Sequence, residues 1–194
     1  MKRRRFKRKL GERRYRKLFI LAVEGLKTEP QYFALFNNHN SVIRINCLKG
    51  KHDSSPLQVL KRMEDHLKRE GLKKSDEAWL IIDRDQWTHG QLKLLYEWAQ
   101  KEDNYGFALS NPKFEFWLLL HFEDGNNITN SRICSERLER YLPGYNKEVN
   151  ARKITSSAIS GAVSRAKQRD NPPCSDWPRT TGTTVYRLVE KLLS

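Results

Sequence analysis

The chain has 194 residues, of which 38% are hydrophobic and 10% are aromatic. This length suits one well-packed domain and is too short for two full ones, and the apolar content argues against global disorder. The sequence has no apolar run of about 18 residues. Its N-terminus has the positive charge of a signal peptide but lacks a pure apolar h-region and a small-residue cleavage site, so we expect a cytoplasmic protein. The three cysteines are too far apart in sequence for a C-x-x-C zinc site or a disulfide framework.

The formal net charge of +14 is concentrated at the N-terminus. Residues 1–17 contain eleven Lys or Arg and one Glu, net +10, which leaves +4 for the remainder (26 basic minus 22 acidic residues). We expect residues 1–16 to be a disordered basic arm that binds the phosphate backbone of nucleic acid through counterion release. The predicted contacts are Arg3, Arg4, Arg5, Lys7, Arg8, Lys9, Arg13 and Arg14. The alternative is a solvated tail without a partner.

Apolar runs and helix signals alternate over the next hundred residues. The runs predict strands near 17–23, 42–48, 78–83 and 105–110. Thr28 and Gln31 are spaced as a capping box and predict a helix from about Thr28, and further helices are predicted near 55–70 and 88–101. In the helix predicted near 55–70, Leu57, Leu60, Met63 and Leu67 form one apolar stripe, and Gly71 is the stop signal. The alternation predicts an α/β fold with a mostly parallel central sheet of about four strands, covered by helices on both faces.

The pattern changes after residue 110. Residues 113–122 read as a buried helix, and further helices are predicted near 131–141, 154–168 and 182–193. We therefore expect an α/β core over residues 17–122 and a helical C-terminal extension over residues 123–194 that packs on the core.

Acidic residues follow two of the predicted strands. Glu24 ends the first strand, and Asp83 and Asp85 end the third. Because the carboxyl ends of parallel strands share one edge of the sheet, these acids converge if the two strands are neighbours. Crowded carboxylates repel one another, and the usual remedy is a divalent cation such as Mg²⁺ or Mn²⁺. The alternative is that an Asp of the D-x-D pair caps the next helix.

Four segments resemble the RloB-like proteins, which are encoded near bacterial restriction systems: "VEGLKTEPQYF" (23–33), "IIDRDQW" (81–87), "SNPKFEFWLLLHF" (110–122) and "TGTTVYRLVEKLL" (181–193). That family looks like a variant of the Toprim fold of topoisomerases, bacterial primases, OLD nucleases and small maturation ribonucleases. The resemblance implies that Glu24 acts as general acid or base and that Asp83 and Asp85 hold Mg²⁺. It also implies work in bacterial defence beside an AAA-type or ABC-type ATPase.

Further site candidates lie close to these motifs. Glu115 could supply a second metal position, or it could cap its helix or pair with Arg84. His121 is either a core histidine or a site residue. Lys49, Lys51 and His52 follow the second strand and could grip a phosphate, or be solvated. The remaining candidates, Gly25 and Asn111, belong to the matched segments.

Two functions fit these features. The first is a metal-dependent nuclease that hydrolyses phosphodiesters of DNA or RNA, possibly tRNA. The second is a non-catalytic subunit that binds nucleic acid or an ATPase and keeps the fold. A phosphatase fits less well, because its D-x-D would follow the first strand. The sequence leaves the choice of DNA or RNA and the oligomeric state open.

Overall fold

The computed structural model describes residues 17–37, 42–48, 50, 55–84 and 87–194. The arm over residues 1–16 lies outside these ranges, as do Lys49, Lys51, His52 and Asp85. What the sequence indicates for them remains a prediction.

One sheet of five strands runs through the described part of the chain. The strands are β1 (Lys17–Val23), β2 (Ile43–Leu48), β3 (Glu77–Asp83), β4 (Tyr105–Asn111) and β5 (Gly182–Thr183). Their order is β2-β1-β3-β4-β5; the first four are parallel, and β5 is antiparallel to β4. The four predicted strands and the adjacency of β1 and β3 are confirmed. The sequence did not predict β5, because a two-residue strand has no apolar run to mark it.

Seven helices are present in the same ranges. They are α1 (Thr28–Ala34), α2 (Pro56–Glu70), α3 (His89–Ala99), α4 (Phe114–Leu119), α5 (Ser131–Tyr141), α6 (Ser156–Arg169) and α7 (Val185–Leu193). All were predicted to within a few residues, apart from the shorter α4. These helices are all too short or too polar to span a bilayer.

The sheet is buried on both faces, which explains why its strands read as continuous apolar runs. Phe19, Leu21 and Val23 of β1 pack into one apolar cluster, which also takes in α1 and the helices from α4 to α7. Ile20 and Ala22 face the opposite cluster, to which α2 and α3 contribute. The C-terminal helices therefore share a core with the sheet, and α4 is buried nearly all round, as its composition predicted.

Two local predictions were wrong. Thr28 and Gln31 do not form a capping box, because α1 has no side-chain cap and both side chains bind a distant segment. The predicted stripe of α2 was wrong at Leu57, whereas Leu60, Met63 and Leu67 do pack into the apolar cluster. Leu57 is 44% exposed, whereas Val59 and Met63 are fully buried. These two residues are four positions apart and define the buried face, which turns Leu57 towards solvent.

A buried carboxylate ties the two ends of the described chain together. Glu77, at the start of β3, is 5% exposed. It accepts hydrogen bonds from the ammonium groups of Lys17 at 2.6 Å and Lys191 at 3.1 Å, and from the indole N–H of Trp79 at 2.8 Å. The first residue of β1 and the last turn of α7 are thus joined at one point.

Candidate functional site

A cleft of about 260 Å³ opens where β1 and β3 end. The two strands are parallel neighbours, so their carboxyl ends lie at the same edge of the sheet. The segment after β1, the start of α4 and one residue of a C-terminal loop complete the walls. The charged residues of the lining are Glu24, Glu29, Asp83, Glu115, Lys27, Lys113 and Lys147.

Glu24 and Asp83 are in direct contact, as adjacent strands require. The backbone N–H of Asp83 donates to Glu24 Oε2 at 3.1 Å, and the indole N–H of Trp87 donates to Glu24 Oε1 at 3.3 Å. The Glu24 N–H in turn donates to the carbonyl of Ile81 at 3.1 Å, which extends the pairing of the two strands by one residue. The Glu24 carboxylate is therefore held in a fixed position beside Asp83.

Asp83 lies in a crowd of like charges. Burial raises its pKa well above the usual range, and the charges of Glu29, Glu24 and Glu115 raise the pKa further, while the Phe114 N–H opposes the shift in part. In the absence of a cation, the carboxylate form of Asp83 is thus disfavoured.

Glu29 also lines the cleft, although the sequence did not predict it there. It is 4% exposed, and its Oε1 accepts a hydrogen bond from the Gly25 N–H at 2.9 Å. Burial raises its pKa, and the charge of Glu115 adds to this, against the lowering effect of backbone N–H groups and Lys147. A Cβ atom on residue 25 would lie 2.0 Å from Glu29 Oε2, so only glycine allows this approach. A glycine four residues before a glutamate, across a strand-to-helix turn, was the available signal.

Glu115 faces the cleft from the first turn of α4. Its Oε1 accepts a hydrogen bond from the Tyr145 hydroxyl at 3.4 Å. The N-cap of α4 is Lys113, and Arg84 donates to the carbonyl of Trp87 without an ion pair to Glu115 in the described structure. Glu115 is therefore neither the N-cap nor a partner of Arg84 in the described structure, but it lies in the first turn of α4, where the helix dipole favours an acid.

Two other candidates lie away from the cleft. His121 is a buried core residue, with Nδ1 3.0 Å from the Trp117 carbonyl and Nε2 3.2 Å from the Tyr32 hydroxyl. Asn111 ends β4 and donates to the carbonyl of Pro178 at 3.3 Å, so it holds the C-terminal segment against the sheet.

The donor atoms of the cleft can be compared with those that a hard cation requires. Its acidic side chains offer oxygen ligands, which Mg²⁺ and Mn²⁺ prefer, and the crowding at Asp83 is the kind of charge that such an ion neutralises. Within the described ranges, however, no three His, Cys, Asp or Glu side chains form a group that could hold a metal ion. Asp85, the further ligand that the sequence predicts, lies outside those ranges.

Comparisons with known proteins place the chain in a family. A family model described as RloB-like protein matches residues 19–192, which include the whole sheet apart from two residues of β1. No curated protein matches the chain, and no solved structure does. The match covers far more than half of the sequence, and the chain therefore belongs to the RloB-like protein family.

Proposed function

We propose that this protein is a metal-dependent nuclease that hydrolyses phosphodiesters of DNA or RNA, tRNA included, in bacterial defence. The observation that carries the proposal is the meeting of Glu24 and Asp83 at the ends of two parallel strands, in a cleft that two further acids line. Open parallel sheets bind their ligands at this edge. The same pair of acids is the one that the resemblance to Toprim proteins singles out.

In this proposal the acids divide into metal ligands and a proton-transfer group. Asp83 and Asp85 would hold the first Mg²⁺ or Mn²⁺, and Glu115 would serve a second position. A bound ion of this kind neutralises charge on the phosphate and lowers the pKa of a bound water. Glu29 is too deeply buried to be an open ligand, and its hydrogen bond to Gly25 fits a supporting role in the wall of the cleft.

Glu24 would move the proton. Hydrolysis adds a water oxygen to phosphorus and breaks the bond from phosphorus to the leaving oxygen, so one proton leaves the water and one reaches the leaving group. A general acid or base must lie within hydrogen-bond reach of these atoms. Glu24 is held at the cleft by the N–H groups of Asp83 and Trp87, so its carboxylate is already in position for either transfer.

Partners follow from charge and family. The basic arm, with Lys49, Lys51 and His52, would bind the phosphate backbone outside the cleft. The chain has no G-x-x-x-x-G-K-[ST] phosphate loop, so nucleotide hydrolysis would come from a partner ATPase of the AAA or ABC type. Co-purification of such an ATPase with the chain expressed from its native operon tests this association. A preparation free of any ATPase at physiological salt would favour a self-sufficient enzyme.

One observation favours the alternative of a non-catalytic subunit that binds nucleic acid or an ATPase. Both oxygens of Glu24 accept hydrogen bonds from the protein, and Glu29 is likewise engaged. Acids that are satisfied by protein donors can hold a loop in place without any metal. In that case, the cleft would be a structural remnant of a catalytic ancestor.

Cleavage assays separate the two functions. Labelled tRNA, single-stranded DNA and duplex DNA are incubated with the protein in Mg²⁺, Mn²⁺ or EDTA. We expect cleavage in the metal ions alone, its collapse in Asp83→Asn and Asp85→Asn, and metal binding without turnover in Glu24→Gln. Glu97→Gln is the control, because Glu97 is an exposed carboxylate paired with Lys93 on α3. A double Asn variant that cleaves at the wild-type rate would refute the site, and binding without cleavage of any substrate would support the non-catalytic subunit.

A further inference from the structure

A loop of the C-terminal third, residues 143–150 (the cleft loop), is fastened to α1 beside the cleft. Thr28 Oγ1 lies 2.9 Å from the Tyr145 hydroxyl and donates to the carbonyl of Lys147 at 3.3 Å. One turn further along α1, Gln31 Oε1 accepts a hydrogen bond from the Val149 N–H at 2.9 Å. Tyr145, Lys147 and Val149 therefore all bind side chains of α1. These contacts fix the backbone at the middle residue of the three.

That residue, Lys147, has an unfavourable backbone conformation. Its φ is 59°, in the left-handed region that residues with a Cβ atom adopt at a cost in free energy. The same loop uses glycine for another left-handed position, Gly144, with φ of 73°. Among the other described residues, the one further non-glycine example is Asn127, a residue type that tolerates this region. A lysine at position 147 therefore indicates that its side chain is needed.

The Lys147 side chain lines the cleft together with the four acids. Its positive charge lowers the pKa of Glu29, which places it within electrostatic reach of the site. Lys113, another lysine of the lining, donates to Ser135 Oγ at 2.6 Å and is thus already engaged. The Lys147 ammonium makes no hydrogen bond or ion pair with the part of the chain that the structure describes. It is a cation beside carboxylates that forms no ion pair with any of them in the described ranges.

We infer that Lys147 is a phosphate-binding residue, which holds a non-bridging oxygen of the substrate backbone against the carboxylates at the ends of β1 and β3. The inference rests on the proposed function for its substrate class, a phosphodiester. An ammonium group is a point charge with three donors, which suits a phosphate oxygen without a fixed orientation. The acids alone would repel that phosphate, and the positive charge of Lys147 in the same cleft offsets this repulsion.

Binding measurements test Lys147 without requiring cleavage. The full-length protein is titrated into fluorescein-labelled pentathymidylate in Mg²⁺, and the Kd is read from fluorescence anisotropy. Loss of one charge-assisted hydrogen bond in Lys147→Gln should weaken binding about tenfold and reduce the slope of log K against log salt by about 0.7. Lys147→Arg should stay within about threefold of wild type, since the charge is kept. The matched control is Arg152→Gln, which removes an exposed positive charge next to the cleft loop.

A glycine variant separates a binding role from a structural one. Lys147→Gly removes the ammonium and relieves the backbone, so its Tm should equal or exceed that of wild type while its Kd rises as in Lys147→Gln. Wild-type affinity in Lys147→Gln, or an equal loss in Arg152→Gln, would overturn the inference. A wild-type protein that never cleaves, but whose binding depends on Lys147, would refute the nuclease and leave the phosphate site standing.

Discussion

Acidification should destabilise the fold through His121, because the core holds this side chain neutral. The ring is 4% exposed; Nδ1 donates to the Trp117 carbonyl, and Nε2 accepts from the Tyr32 hydroxyl. One donor and one acceptor satisfy a neutral imidazole completely. A second ring N–H would face a hydroxyl group in apolar surroundings. Burial, aided by the charge of Arg165, therefore lowers the pKa of His121 from 6.5 to about 4.

The pKa shift sets the size and the sign of the effect. The unfolded chain binds the proton first as the pH falls, so stability is lost between pH 6.5 and pH 4. A difference of about 2.5 pKa units corresponds to at most about 3 kcal/mol, reached below pH 4. At about pH 5 the loss relative to neutral pH is about 2 kcal/mol. This is a large fraction of the stability of an ordinary domain.

Urea denaturation of wild type and His121→Gln at pH 7 and pH 5 measures the effect. The variant is expected to be less stable than wild type at pH 7, and this difference should shrink by about 2 kcal/mol at pH 5. Asp83 and Glu29 have raised pKa values, so their protonation stabilises the fold as the pH falls. This contribution is the same in wild type and variant, and it therefore cancels when the two pH dependences are subtracted. Parallel pH dependences of the two proteins, or an NMR titration of His121 with a pKa near 6.5, would refute this reasoning.

Three further predictions concern the cleft and the arm. Gly25→Ala should displace the Glu29 carboxylate and abolish cleavage. It should also lower the free energy of unfolding in urea by about 1–3 kcal/mol, since a buried hydrogen bond is lost. Unchanged activity would mean that Glu29 is dispensable. Asp83→Asn should raise the Tm in EDTA at neutral pH. The pKa of Asp83 is raised above the ordinary aspartate value of 3.8, so its ionisation costs stability as the pH rises above 3.8. Mg²⁺ should raise the Tm of wild type more than that of the variant. A metal response that is equal in both would argue against Asp83 as a ligand. Deletion of residues 1–16 should leave the circular dichroism spectrum of the fold unchanged but weaken nucleic-acid binding and flatten its salt dependence; an unaltered salt slope would assign the binding to the body.

The proximity of Glu24 and Asp83 was predictable because it requires only that two parallel strands are neighbours and that each ends on an acid. Two apolar runs mark buried strands, helices between them require parallel crossovers, and each run ends on an acid. Adjacency of β1 and β3 then brings the acids together, and this adjacency is confirmed. The roles of Glu24, Asp83 and Asp85 in metal binding and catalysis remain predictions.

The rest of the cleft depends on contacts between residues far apart in sequence. Thr28 has the spacing of a helix cap, but its partner is the Tyr145 hydroxyl, 117 positions later. No local pattern contains that information, so neither the cleft loop nor Lys147 could be placed from the sequence. Glu29 was missed for another reason. A glutamate in the first turn of a helix is usually exposed and favoured by the helix dipole, and here the approach to Gly25 buries it.

The buried Glu77 fixes the position of Lys17, the first residue that the structure describes. Residues 1–16 join the described chain at Lys17, which this carboxylate holds together with Lys191 at the amino end of the parallel strands. The cleft lies at the carboxyl end, and the seven residues of β1 separate the two by about 20 Å. Along a duplex, this distance corresponds to about six base pairs. A nucleic acid that touches both the cleft and Lys17 must therefore reach from the carboxyl ends of the parallel strands to their amino ends. In the proposed binding mode, oligonucleotides much shorter than this distance should gain little affinity from basic residues next to Lys17.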